Sequence, residues 1–208
     1  MKQVTDFLPR VIPSVQGCPE PMAVRAVVDS AIAFCEESLV LREKQDAFST
    51  VANTVAYDLD APVAQQVARV LNVWVDGTVI DPIPSELIGI VDTRSTKPTG
   101  YYTTRVDSQW QLNLSPTPDA AYSVVVEVAL RPTRDAKIVQ DDLYNLWIEP
   151  IVAGAVGRLM STPQQPFSDP VTGEAKTLQA TAGSRKARVE GTFGRVKSSQ
   201  RVAPRPLA

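Results

Sequence analysis

Proline placement limits what this 208-residue chain can fold into more than any other feature of its sequence. Seventeen residues are proline, against the ~5% of positions usual in globular proteins. Each one removes a backbone donor and fixes φ, so helix interiors and central strands must run between prolines. Pro9, Pro13, Pro19 and Pro21 crowd the N-terminus, and residues 1–20 are expected to form an extended arm. Pro82 and Pro84 end an element, Pro116 and Pro118 separate two others, and Pro163 and Pro166 stop a helix.

Between these stops the hydrophobic periodicity changes twice. From Pro21, the residues Val24, Val27, Val28, Ala31, Cys35 and Leu39 recur at helical spacing with Phe34 beside them, which predicts an amphipathic helix of about five turns. Phe48–Leu59 and the β-branched run 67–80 then read as strands, with Asp76-Gly77 as a hairpin turn. Ser85–Ile88 reads as one helical turn capped by Ser85. Further strands are expected at 101–106, 110–114 and 122–130, forming a small antiparallel sheet. Asp141-Asp142 opens a second helix whose apolar face is Leu143, Leu146, Trp147, Ile151, Gly154, Ala155 and Leu159, kinked at Pro150. The fold class is therefore α+β: amphipathic helices packed with an antiparallel sheet, an N-terminal arm (1–20), a body (21–170) and a C-terminal extension (171–208).

Composition removes whole classes of chemistry. Histidine is absent, so no Ser-His-Asp triad, Cys-His dyad or imidazole metal site can form. Cys18 and Cys35 are too few for a disulfide framework and are expected to be reduced thiols. No stretch approaches the ~18 apolar residues of a membrane helix, and residues 1–10 lack the apolar run of a secretory signal.

Few short motifs invite chemistry. Asp58-Leu59-Asp60 has the spacing of a carboxylate pair that holds a divalent cation, but a strand end before Ala61-Pro62 explains it more simply. Glu36-Glu37 and Asp141-Asp142 are neighbours diverging by about 100° on a helix, and so cannot converge on one atom. Gly154–Gly157 lies in a helix, where small residues permit close packing, and Gly191–Gly194 lacks the helices that flank a backbone-clamping loop. Phosphate loops and nucleophile–base pairs are missing. No catalytic residue, cofactor or metal is expected. Trp74, Trp110 and Trp147 are expected to anchor the core.

The C-terminal extension is the feature that asks for a partner. Residues 171–208 hold eight basic and two acidic residues, net +6, leaving residues 1–170 at net −8. Leu178, Ala182, Val189, Phe193 and Val196 make a thin helical stripe interrupted by Gly173, Gly183, Gly191 and Gly194. That stripe is too weak to order by itself and is expected to order on a partner. A solvated end and a nucleic-acid contact are the alternatives. The apolar residues among the charges favour protein, with Leu178, Arg185, Lys186, Arg188, Phe193, Arg195, Val196, Lys197 and Arg201 as docking residues.

Three stretches resemble the head-to-tail adaptor, or connector, proteins of tailed bacteriophages. The first joins Leu8-Pro9-Arg10-Val11 and Gly17–Pro21 to a helix ending Phe34-Cys35-Glu36-Glu37-Ser38. The second runs from Lys97-Pro98-Thr99-Gly100-Tyr101-Tyr102 through Leu112–Pro118 to a Val-rich strand ending at Arg131-Pro132. The third is Glu149–Met160 followed by Pro163, Pro166-Phe167 and Asp169-Pro170. This resemblance implies a non-enzymatic virion structural protein of the neck, made in the host cytoplasm. It implies a dodecameric ring that binds the portal protein, receives a downstream tail or nozzle protein and surrounds the passing genomic DNA without reading its sequence. A nucleic-acid-binding or packaging accessory protein acting through the basic tail is the alternative.

Overall fold

A computed structural model describes residues 1–90, 94–107 and 109–193. In chain order the elements are β1 (Lys2–Gln3), α1 (Leu8–Val11), α2 (Glu20–Ser38), β2 (Arg42–Lys44), β3 (Phe48–Ser49), β4 (Ala56–Asp58), β5 (Gln65–Val75), β6 (Thr78–Pro82), β7 (Gly100–Val106), β8 (Gln109–Ser115), β9 (Ser123–Pro132), β10 (Ile138–Val139), α3 (Asp141–Asn145), α4 (Ile148–Met160) and α5 (Pro170–Phe193). Helices and a sheet segregate, as the α+β reading expects.

The sheet is larger than expected and runs β2-β9-β5-β6-β7-β8-β4, with β3 also on β9. Its spine is β5 against β9, paired from Gln65↔Pro132 to Val75↔Val124 with two bulges. Val73, Val75, Val124, Val126, Val128 and Leu130 are buried along it. The Asp76-Gly77 hairpin forms as read, with both residues at positive φ (49° and 77°), the backbone of a type I′ turn. Neighbouring strands are antiparallel except β6 and β7, which pair in parallel through Asp81↔Gly100 and Pro82↔Tyr101. The crossover between them includes a 3₁₀ helix, Ser85–Ile90, where the sequence predicts one turn.

The first twenty residues differ from the extended arm expected. Val4–Phe7, α1 and Ile12–Ser14 form consecutive helical turns, and Val4, Phe7, Leu8, Val11 and Val15 are buried. Pro9 and Pro13 each fall at the start of a short turn, where the missing amide has no intrahelical partner to lose. Prolines spaced four apart thus permit a chain of single turns while forbidding one continuous helix.

α2 matches its predicted span and begins with Pro21 in its first turn. It ends where Leu39 adopts a left-handed conformation and its amide donates to the Cys35 carbonyl at 2.9 Å. The helix is buried on more than one face because it packs on β9, α4 and α5 together. Cys35 is fully buried, and burial pushes its thiol far up, with Glu36 adding to the shift and Arg131 opposing it. Both cysteines are free thiols.

The second helix is broken, not kinked. α3 ends at Asn145, Trp147 has non-helical dihedrals, and α4 starts at Ile148. Pro150 causes the break upstream of itself, because its ring would collide with the carbonyl four residues earlier, at Leu146. The break turns Leu146 outward, 46% exposed, although periodicity places it on the buried face. Trp147 stays buried against Phe34, with ring centroids 5.7 Å apart. Trp74 differs from the core role expected, while Trp110 packs against the core without being fully buried. They are half-buried, with Lys44 over one ring at 4.9 Å and Arg105 over the other at 5.4 Å.

Candidate docking surface

For residues 171–193, α5 overturns the expectation that the C-terminal extension orders only on a partner; residues 194–208 lie outside the described residues. α5 is a 24-residue helix packed on α4 and α2. Asp169 caps its start: the Thr172 amide donates to Oδ1 at 3.2 Å and the Gly173 amide donates to the Asp169 carbonyl at 2.8 Å. Hydrogen bonds from Thr172 hold the Asp169 carboxyl below the usual carboxylate range.

Small residues make the packing possible. A Cβ on Gly154 of α4 would lie 2.3 Å from Ser30 Oγ of α2, and one on Gly157 would lie 2.6 Å from Thr177 Oγ1 of α5. A Cβ on Gly183 of α5 would lie 2.5 Å from Pro150 Cβ. At Gly157 and Gly183 the neighbours include backbone atoms or a rigid proline ring, so one methyl group cannot be added there without moving a helix, while at Gly154 the Ser30 hydroxyl would have to turn away. Ser30 Oγ also donates to the Ile151 carbonyl at 2.7 Å across the α2–α4 contact. The reading of Gly154–Gly157 as a helix-packing feature therefore holds. Of the tail glycines expected to weaken a helix, Gly173 and Gly183 supply its inner face instead.

That inner face, including Gly173, Ser184 and Ala187, is buried. The larger apolar side chains point the other way: Val171, Leu178 and Val189 are 81%, 65% and 58% exposed. At about 100° per residue, Val171, Leu178, Ala182, Arg185 and Val189 fall within an arc of about 60°, with Lys186 and Arg188 on its two flanks. Charge on this face is only loosely engaged. Arg185 Nε lies 3.8 Å from Glu37 Oε1 and Lys186 Nζ lies 4.0 Å from Glu190 Oε1, contacts that solvent screens heavily. The outcome is an apolar strip along an outward helix face, flanked by Lys186 on one side and by Arg188 with Glu174 on the other.

The docking residues read from the sequence fall into two groups. Leu178, Arg185, Lys186 and Arg188 share the outer side of α5, and Phe193 is its last residue. Arg195, Val196, Lys197 and Arg201 lie outside the described residues. Val171 was missed, although its spacing of seven from Leu178 places it on the same helix face.

Other candidates resolve locally. β4 ends at Asp58, consistent with the strand-end reading, and Asp58 Oδ1 accepts from Gln111 Nε2 at 2.7 Å. Among the described residues no three acidic or cysteine side chains gather as a metal site. No helix among them is long and apolar enough to cross a membrane.

A comparison with curated protein sequences finds no match. A model of the SU10 adaptor protein family matches residues 3–207, nearly the whole chain. The match spans the helical turns at the N-terminus, the sheet, the close-packed helices and the basic end, so the chain belongs to the SU10 adaptor protein family.

Proposed function

We propose that this phage adaptor is a head-to-tail connector subunit that assembles as a dodecameric ring, binds the portal protein and passes genomic DNA through its centre. Membership of a structural adaptor family gives the coarser part, a protein that works with other head or tail proteins and not as an enzyme. The observation that supports the finer part is the outer face of α5. Val171, Leu178 and Val189 leave apolar area in water along one strip of α5, area that a partner surface would remove from solvent. The cations Arg185, Lys186 and Arg188 beside the strip suit an acidic partner surface. In this reading the C-terminal extension, residues 171–208, supplies the docking element, the neck of the virion is where the protein acts, and a tail or nozzle protein follows it.

The experiment is binding of purified portal rings by wild type and two variants. Leu178→Ser with Val189→Ser keeps the net charge and is expected to weaken portal binding at least roughly tenfold without changing the melting temperature, because exposed positions contribute little to folding. Reversal of Arg185, Lys186 and Arg188 to Glu is expected to slow association and reduce its salt dependence. Unchanged portal binding in the apolar variant, together with DNA binding that weakens steeply with salt and is lost on charge reversal, would instead favour the nucleic-acid-binding accessory reading.

A further inference from the structure

The two outermost strands of the sheet line one groove. β2 pairs only with β9 and β4 only with β8 among the described residues, yet residues of both, with the loops that follow them, enclose about 460 Å³. Bonds from the Gln45 amide to Val126 and from the Leu130 amide to the Leu41 carbonyl fix which residues of β2 face β9. By the alternation of an antiparallel ladder, the backbone groups of Arg42 and Lys44 point away from it. Bonds at Val55 and Leu59 fix β4 in the same way, so Ala56 and Asp58 turn their backbone groups outward. Free strand edges invite an extended peptide.

The groove's chemistry selects the peptide. Phe48 and Tyr57 line it with rings 5.1 Å apart. Glu43, Asp46, Asp58 and Asp60 line it too, and none of the four carboxylates makes an ion pair among the described residues. Lys44, the one lysine in β2, is engaged over Trp74. An occupant with several cations and some apolar groups fits this lining.

This chain carries such a segment, and the helix before it ends nearby. Residues 194–208 contain Arg195, Lys197, Arg201 and Arg205, interleaved with Val196 and Val202, and no acidic residue. Two residues before α5 ends, a Cβ on Gly191 would lie 3.8 Å from Val40 Cα and 4.0 Å from an Arg42 guanidinium nitrogen. Arg42 immediately precedes Glu43. Fifteen extended residues reach about 50 Å, far more than the approach requires, and so short a tether gives an effective concentration in the millimolar range.

We propose that the C-terminal segment 194–208 docks within its own subunit, in the groove between the free edges of β2 and β4, with its cations against Glu43, Asp46, Asp58 and Asp60. The inference goes beyond the adaptor reading and does not depend on it. Any partner that takes the tail must first draw it out of this groove.

The test is limited trypsin digestion of the full chain, with cleavage after Arg195, Lys197 and Arg201 followed by mass spectrometry. Wild type is compared with a variant carrying Glu43→Gln, Asp46→Asn, Asp58→Asn and Asp60→Asn. At low salt the tail of the variant should be cut roughly tenfold faster, and added salt should raise the wild-type rate towards the same value. Matching thermal melts show that the variant is folded. The salt series on unmutated protein, normalised to cleavage after Arg134 in the body, gives the same answer without a substitution. Equal tail cleavage in both proteins at low salt overturns the proposal. So does protection that grows with protein concentration, which would assign the groove to a second copy's tail. Calcium binding measured by calorimetry, lost in the variant while tail cleavage stays unchanged, overturns it in favour of a cation.

Discussion

Gly183 of α5 lies directly on Pro150 of α4, so close that a Cβ at 183 would stand 2.5 Å from the proline Cβ. The same proline ends α3 early and seats α4 against the C-terminal helix. One residue thereby breaks a helix and provides the surface on which another helix rests. The contact depends on glycine having no side chain, because the nearest atoms belong to a rigid ring.

Replacing Gly183 with Ala should therefore destabilise the chain by about 1–2 kcal/mol, the cost of overpacking less the gain in helix propensity. Gly191→Ala is the matched control. Its nearest neighbour would be 3.8 Å away, ordinary contact, so the propensity gain of up to about 1 kcal/mol should appear undiminished. Urea unfolding of both variants checks the pair, and equal midpoints would show that α5 does not seat on Pro150.

The tryptophans should separate by burial. Trp147→Ala removes a ring packed in the core on Phe34 and should cost about 3 kcal/mol or more. Trp74→Ala removes a half-buried ring whose notable contact is Lys44 and should cost about 1 kcal/mol. Thermal or urea melts of the two variants should differ clearly, and a Trp147→Ala melt within a degree of wild type would remove that ring from the core.

Low pH should loosen α5 at its start. The folded-state pKa of Asp169 is depressed by hydrogen bonds from Thr172. The cap therefore contributes fully above the unfolded value of about 3.9 and is lost as pH falls through the lower folded value. Asp169→Asn keeps an acceptor at the cap but cannot titrate there. Melts from pH 6 to pH 2 should show wild type losing stability relative to Asp169→Asn only below about pH 4. A constant difference across the series would exclude the cap as a source of acid sensitivity.

Much of the fold was legible in local sequence. The Asp76-Gly77 turn needs two residues that tolerate positive φ, and that requirement is written in the residues themselves. α2 follows from a helical period bounded by Pro21, and the end of α4 follows from Pro163 and Pro166, since proline acts on its own turn whatever surrounds it. The excess of basic residues after 171 is likewise a property of the chain alone.

What lay on either side of α5 was decided only by tertiary structure. Its apolar period marked Leu178, Ala182 and Val189 as the face that would seek cover, while its glycines counted against a helix. Packing left the first face in solvent, open to a partner, and overturned the second reading. The facing surface of α4 presents Gly154 and Gly157, so the close approach of backbones favoured the side of α5 bearing Gly173, Gly183, Ser184 and Ala187 and left the bulkier residues outside. Helix propensity and periodicity describe one segment in isolation, whereas the depth to which two helices can approach depends on both surfaces at once. The groove between β2 and β4 has the same origin. Glu43 and Asp58 are fifteen residues apart in the chain, and they meet only because β2 and β4, at opposite ends of one long sheet, line a common cavity.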